Sequence, residues 1–106
     1  MYTLLRVRHA GTPRYRWTGY IYDISTTGMR FELDASLEPG TKIDVRGMLP
    51  GARHTTIRAT GHVIRLQDDE DSVGPFRMAM SFESFSHHID RNRLLDYLSH
   101  SDLRAA

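Results

Sequence analysis

The 106-residue sequence contains no cysteine, which excludes disulfides, thiol catalysis and thiolate metal sites. It also has no apolar run approaching the ~20 residues that a membrane span requires. Its first residues alternate like a strand and do not resemble a signal peptide. We therefore expect a cytoplasmic protein that does not bind a membrane. The formal net charge of +1 makes nucleic acid an unlikely partner on electrostatic grounds.

Acidic residues are also missing from the first 22 positions, which contain four arginines: Arg6, Arg8, Arg14 and Arg16. If the two segments that carry these arginines form a hairpin, strand parity predicts that the four side chains share its outer face. They are then either solvated, with Glu32 or Asp34 as counter-charges, or they bind an anion such as a phosphate or an acidic partner. Both interpretations remain open.

Alternating apolar and polar residues dominate the chain and predict six strands separated by turn residues. The tail has a helical spacing of apolar residues from about Ile89 to Leu103, with Ser86 or Asp90 as the cap. We predict one all-β domain over residues 1–106. It consists of a six-stranded antiparallel barrel over about 2–84 and a helix over about 89–103, which packs on the barrel rim or on a partner.

The parity of the strands also predicts which side chains point inward. Tyr15 is expected inside, whereas Tyr20 and Tyr22 are expected outside, where they form a platform for a nucleobase. Gly61 predicts a bulge or bend. The following residues are predicted to form one buried core: Trp17, Ile21, Phe31, Val45, Ile57, Val63, Met80 and Phe82.

A polar turn from Asp23 to Gly28 separates the second and third predicted strands. It reads Asp-x-Ser-x-x-Gly and brings a carboxylate, a hydroxyl and free backbone groups to one place. Aspartate and serine often bond their own backbone in turns, and glycine readily supplies a left-handed residue. We predict that Asp23 and Ser25 lie at the surface and that Gly28 has a positive φ.

No other pattern in the sequence predicts chemistry. The six histidines are scattered over separate elements, so we expect surface histidines and no metal site. No nucleophile elbow accompanies the serines, and no catalytic residue is predicted. The acidic stretch Asp68–Asp71 is interpreted as a solvated loop. A single-stranded nucleic-acid-binding barrel is a remote alternative, because arginines lie close to Tyr20 and Tyr22.

In this order of elements the chain resembles the PilZ domain family, the bacterial receptor modules for cyclic di-GMP. YIYDISTTGMRFEL is similar to the family's strand–turn–strand with its Asp/Asn-x-Ser-x-x-Gly motif. LEPGTKIDVRGMLPG resembles the next turn and strand, and IRATGHVIRL the Gly-x-Val-x-Arg segment. FRMAMSFESFS before a leucine-containing helix resembles the family's ending. The resemblance implies a six-stranded barrel with a helix, signalling through a ligand, and no catalysis.

The resemblance assigns ligand-binding roles to Asp23, Ser25 and Gly28, and we predict Arg30 as a further ligand-binding residue. Typical family members that bind cyclic di-GMP also carry Arg-x-x-x-Arg just before the first strand, and no two arginines of this sequence are four residues apart. We therefore expect weak binding of cyclic di-GMP, with Arg6 or Arg8 as compensating residues. The alternative is an adaptor that binds another, unidentified protein without nucleotide.

Overall fold

The computed structural model describes residues 3–49, 55–64 and 76–105. Within them, six antiparallel strands are followed by one helix. The elements are β1 Thr3–His9, β2 Trp17–Ile24, β3 Gly28–Leu33, β4 Lys42–Met48, β5 Thr56–Ile64, β6 Phe76–Phe85 and α1 His88–Ala105. The predicted all-β class with a C-terminal helix is confirmed. The acidic stretch Asp68–Asp71 and Arg65 of the Gly-x-Val-x-Arg segment lie outside the described residues.

The six strands close into a barrel in the order β1-β2-β3-β6-β5-β4. Closure comes from β1, which pairs with β2 on one side and with β4 on the other. A closed sheet buries one face of every strand and leaves the other face to solvent. This arrangement accounts for the alternating apolar and polar residues that dominate the sequence.

Six of the eight predicted core side chains are buried. Five of them lie in the main core, namely Ile21, Phe31, Val45, Val63 and Met80, whereas Ile57 lies in a second, smaller cluster, so the prediction of one core was wrong for Ile57. Trp17 and Phe82 are only half-buried, so the prediction was wrong for these two. Trp17 is the first residue of β2 and contacts the ring of His9 edge-on, with centroids 4.9 Å apart. Phe82 packs between the main core and a smaller cluster under the helix.

The smaller cluster attaches α1 to the barrel. Leu94 of α1 is buried against Leu49 and Ile57, so the helix packs on its own barrel. At the helix start, the carboxylate of Asp90 accepts a hydrogen bond from the backbone N–H of His87 at 3.2 Å. An acid reaching back to satisfy a free N–H is half of a capping box, so Asp90 helps to cap α1 from within its first turn.

The connection between β1 and β2 differs from the predicted hairpin. Arg14, Tyr15 and Arg16 precede the first residue of β2 and belong to the loop. Tyr15 is half-buried outside the core, beneath the guanidinium of Arg8 at 4.6 Å from its ring centroid. The parity argument therefore holds for Arg6 and Arg8 of β1 and was wrong for Tyr15, whereas Arg14 and Arg16 of the loop are exposed.

Candidate functional site

The turn between β2 and β3 is stabilised by its own polar groups. The backbone N–H of Ser25 donates to the carbonyl of Gly28 at 2.9 Å. The Ser25 hydroxyl accepts from the backbone N–H of Thr27 and donates to the Gly28 carbonyl, each at 3.3 Å. Ser25 is exposed as expected, but its hydroxyl is used within the turn, in the manner of serines that close tight turns.

Gly28 does not have the positive φ that the turn motif predicted, and among the described glycines only Gly11 and Gly40 do. The reason for a glycine here is close strand packing. Gly28 lies opposite Ser81 of β6, and a Cβ at this position would overlap the carbonyl oxygen of Met80. Gly28 thus lets the start of β3 approach the backbone of β6.

A β-bulge turns Asp23 outward. Ile21 pairs with Phe31, but Asp23 pairs with Arg30, so Tyr22 is an extra residue on β2. Strict alternation after the buried Ile21 would point Asp23 into the core, whereas one inserted residue reverses the parity and exposes it. The Asp23 side chain makes no hydrogen bond or ion pair within the described part of the chain, so its carboxylate is available to a ligand.

Asp23 and Arg30 lie in one groove with the turn. The groove has a volume of about 280 Å³ and includes Ser25 and Gly28, so the four predicted ligand-binding residues come together. Its other end is apolar, with Ala79 of β6 as the floor and the exposed side chain of Ile64 beside it. We call this depression the turn groove. It offers a hydrogen-bond acceptor, a guanidinium and an apolar wall at adjacent positions.

Sequence reasoning missed Ile64 and Ala79 as groove residues. Ile64 is the last residue of β5 and is 46% exposed, an unusual setting for isoleucine. Its outward parity relative to the buried Val63 was a usable signal. Ala79 gave no signal, because its position opposite both Arg30 and Ile64 depends on the registers of β6 with β3 and β5.

Neither of the two arginines proposed as compensating residues lines the turn groove. Arg6 borders a different depression, together with Arg46 of β4. Arg8 is paired with Asp44: its Nε donates to Oδ2 at 3.1 Å. In the closed strand order, β1 lies between β2 and β4, away from β3 and β6. Both side chains therefore belong to another part of the barrel wall.

The Arg8–Asp44 pair is a structural interaction. Burial by itself would raise the pKa of Asp44, but hydrogen bonds from the Thr60 hydroxyl, at 2.6 Å, and from Arg8 outweigh it. The pKa of Asp44 is consequently lowered below its ordinary value of 3.8. Glu32 is paired with Arg77 of β6 at 3.3 Å. The counter-charge for Arg8 comes from Asp44 of β4, and the expectation of Glu32 in that role was wrong.

The two tyrosines that were expected to form an outer platform differ in exposure. Tyr20 is 49% exposed, but Tyr22 is half-buried at the bulge, with the guanidinium of Arg77 5.9 Å from its ring centroid.

Comparison with known families decides what this barrel is. The family model for the PilZ domain matches residues 2–100. The chain belongs to the PilZ domain family. The turn groove of this PilZ domain therefore contains the family's Asp-x-Ser-x-x-Gly motif, held between β2, β3 and β6. No curated protein matches the chain.

Among solved structures, the PilZ domain is similar to a Bacillus subtilis protein described as an inhibitor of motility, MotI/DgrA. The two share 21% identity with a TM-score of 0.75, and the match covers all of this chain and 49% of the other. The PilZ domain thus spans about half the length of that protein. At this identity the likeness supports the fold. Within the described residues, the PilZ domain has no helix both long and apolar enough to cross a lipid bilayer.

Proposed function

We propose that this PilZ domain is a non-enzymatic bacterial signalling module whose turn groove is part of a cyclic di-GMP site. The observation that carries the proposal is the exposed Asp23 carboxylate, turned outward by the bulge and left without a bond in the described part of the chain. The edge of a guanine base presents N–H donors, and a carboxylate in this position can accept hydrogen bonds from them. Ser25, Gly28 and Arg30 line the same groove.

The proposed site is incomplete in its phosphate contacts. Arg30 is the guanidinium that lines the turn groove, whereas cyclic di-GMP carries two phosphates that are recognised best by converging arginines. The chain contains no Arg-x-x-x-Arg pair. Each lost arginine–phosphate contact costs about 1.5–3 kcal/mol. We therefore expect the chain as printed to bind cyclic di-GMP weakly, with a dissociation constant above about 1 μM.

A calorimetric titration with cyclic di-GMP at physiological salt tests this proposal. Asp23→Ala should weaken binding by about 1–3 kcal/mol, because one hydrogen bond to the base is lost, with no change in the free energy of unfolding. Asp34→Ala is the matched control, since Asp34 is an exposed acid beside β3 that does not line the turn groove. Equal losses of binding and stability would show that Asp23 serves only its own turn.

A second variant supplies the missing contacts. An Arg-x-x-x-Arg segment joined to the N-terminus should raise the affinity for cyclic di-GMP at least tenfold, about 1.4 kcal/mol. Binding tighter than about 1 μM by the unmodified chain would contradict the proposed incompleteness. Absence of binding by both forms would contradict the nucleotide proposal altogether.

The second candidate function is an adaptor that acts through a protein partner without nucleotide. The lack of a paired arginine motif favours it, as does the engagement of Arg8 with Asp44. In that case the turn groove variants leave partner binding unchanged, and the binding surface lies elsewhere on the barrel.

A further inference from the structure

The outer wall formed by β1, β4 and β5 carries three arginines in direct cross-strand register. Arg6 lies opposite Arg46, and Arg46 lies opposite Arg58. All three side chains are exposed, and none makes an ion pair or side-chain hydrogen bond within residues 3–49, 55–64 and 76–105. We call Arg6, Arg46 and Arg58 the arginine row.

This arrangement is electrostatically unfavourable for the isolated barrel, because like charges directly opposite each other on neighbouring strands repel. The adjacent positions on the same strands show the usual solution: Arg8 lies opposite Asp44, and Asp44 lies opposite Thr60, with hydrogen bonds joining all three. Within the described residues, the arginine row has no such counter-charge. Its repulsion would be relieved by an external anion that reaches all three guanidinium groups.

A second, apolar row runs beside the arginine row. Leu4 lies opposite Tyr20 of β2, and Met48 lines the same depression as Leu4, Arg6 and Arg46. The three apolar side chains are unusually open, with Tyr20 49%, Leu4 40% and Met48 37% exposed. We call Tyr20, Leu4 and Met48 the apolar row. At the far side, Arg93 of α1 donates to the carbonyl of Thr56 at 3.4 Å and adds a further positive charge.

We infer that this wall binds an acidic amphipathic helix of a partner protein. Neighbouring strands lie about 4.8 Å apart, so the guanidinium stems of the arginine row follow one another at that interval. Glutamates at i and i+4 of a helix lie about 5–6 Å apart, which matches the interval. A helix lying across the strands would set its acidic stripe on the arginine row and the adjoining leucine stripe on the apolar row.

The spacing and composition favour a helix over other anions. A single nucleic-acid strand is bound by stacking of its bases on aromatic rings, and Tyr20 is the one aromatic residue in the two rows. Binding to an anionic membrane would require neither arginines spaced at the interval between strands nor an apolar row beside them. The inference does not depend on nucleotide binding, because the turn groove is lined by other residues.

The probe is a fluorescent helical peptide of about 18 residues, a length at which a designed helix can form in water, with glutamates in one i, i+4 stripe and leucines in the next. Its binding to the full chain is measured by anisotropy without nucleotide. A scrambled peptide of equal composition controls for charge alone. Vesicles containing phosphatidylglycerol and an oligothymidine test the other anions.

Arg46→Glu is the decisive variant. We expect at least tenfold weaker binding of the amphipathic peptide and a higher melting temperature, because Glu at this position would attract Arg6 and Arg58 where arginine repels them. Met48→Gln should weaken peptide binding several-fold. Arg14→Glu is the matched control, since Arg14 is an exposed loop arginine outside both rows. The affinity of this variant for the peptide should stay within about twofold of that of the unmodified chain.

Asp23→Ala should leave peptide binding unchanged, which separates this inference from the nucleotide proposal. Equal binding of the scrambled peptide would overturn the inference, as would equal losses in Arg46→Glu and Arg14→Glu. Binding of vesicles or oligothymidine without binding of the amphipathic peptide would also overturn it. Loss in Arg46→Glu alone, with a well-folded variant, would support it.

Discussion

Gly28 illustrates a residue whose role could not be assigned from its motif. Turn chemistry predicted a left-handed glycine, but the structure uses the missing side chain to bring β3 against β6. The distinction matters because the two roles predict different tolerances. A left-handed position accepts asparagine better than alanine, whereas a position limited by packing accepts neither.

We therefore expect Gly28→Ala to lower the free energy of unfolding by about 1–3 kcal/mol, as overpacking does. Gly28→Asn should cost at least as much, because its Cβ meets the same carbonyl oxygen of Met80. Urea denaturation of both variants measures the difference. If asparagine proves clearly milder than alanine, the packing explanation is wrong.

Asp44 gives the barrel a pH dependence with a defined sign. Its pKa is lowered in the folded chain, so its carboxylate stabilises the fold above the ordinary value of 3.8 and this contribution is lost as the pH falls through the lowered value. Asp44→Asn should lower the free energy of unfolding by about 1–3 kcal/mol at pH 7. The difference should shrink steadily below about pH 4.

Unfolding curves of both forms across this pH range check the prediction, with Asp34→Asn as an exposed control. A difference that stays constant down to about pH 2 would mean that the charge of Asp44 contributes nothing.

At the scale of elements, the helix shows which apolar residues attach it to the barrel. Leu94 is 1% exposed against β5, while Ile89 on the same helix is 47% exposed. The helical spacing in the sequence included both residues in one stripe. The true contact face is narrower, because the helix contacts mainly β5 and, to a smaller extent, β6.

We expect Leu94→Ala to lower the free energy of unfolding by about 2–5 kcal/mol, since a buried side chain is replaced by a cavity. Ile89→Ala is the matched control on the same helix and should stay within about 0.5 kcal/mol. Chemical denaturation followed by circular dichroism compares them. Equal effects would mean that α1 packs through a different face.

The strands themselves were largely predictable, because a closed sheet imposes a period of two on the sequence. What the period could not provide was register. The bulge at Tyr22, which exposes Asp23, could not be predicted because no glycine or proline accompanies it. The irregularity beside Gly61 was predicted and is confirmed. Likewise, the arginine row joins Arg6, Arg46 and Arg58, which are distant in sequence and meet only through strand pairing.

At the scale of the whole molecule, truncating one core residue tests how much of the free energy of unfolding comes from the main core. Phe31 of β3 is fully buried in the main core. Phe31→Ala should cost about 3–5 kcal/mol, a large part of the 5–15 kcal/mol that stabilises a typical domain. Phe82→Ala should cost less, since Phe82 is only half-buried. A thermal unfolding series would show the ranking, and the reverse order would contradict the assignment of the core.

Closure of the barrel has a consequence for how any partner recognises it. Each of the six described strands has two hydrogen-bonded neighbours, so no strand edge is left with free N–H and C=O groups. A partner cannot extend this sheet by adding a strand of its own, a recurring mode of recognition in which main-chain hydrogen bonds supply the affinity. Recognition must then be encoded in side chains on the wall, where single substitutions can change partner choice without disturbing the fold.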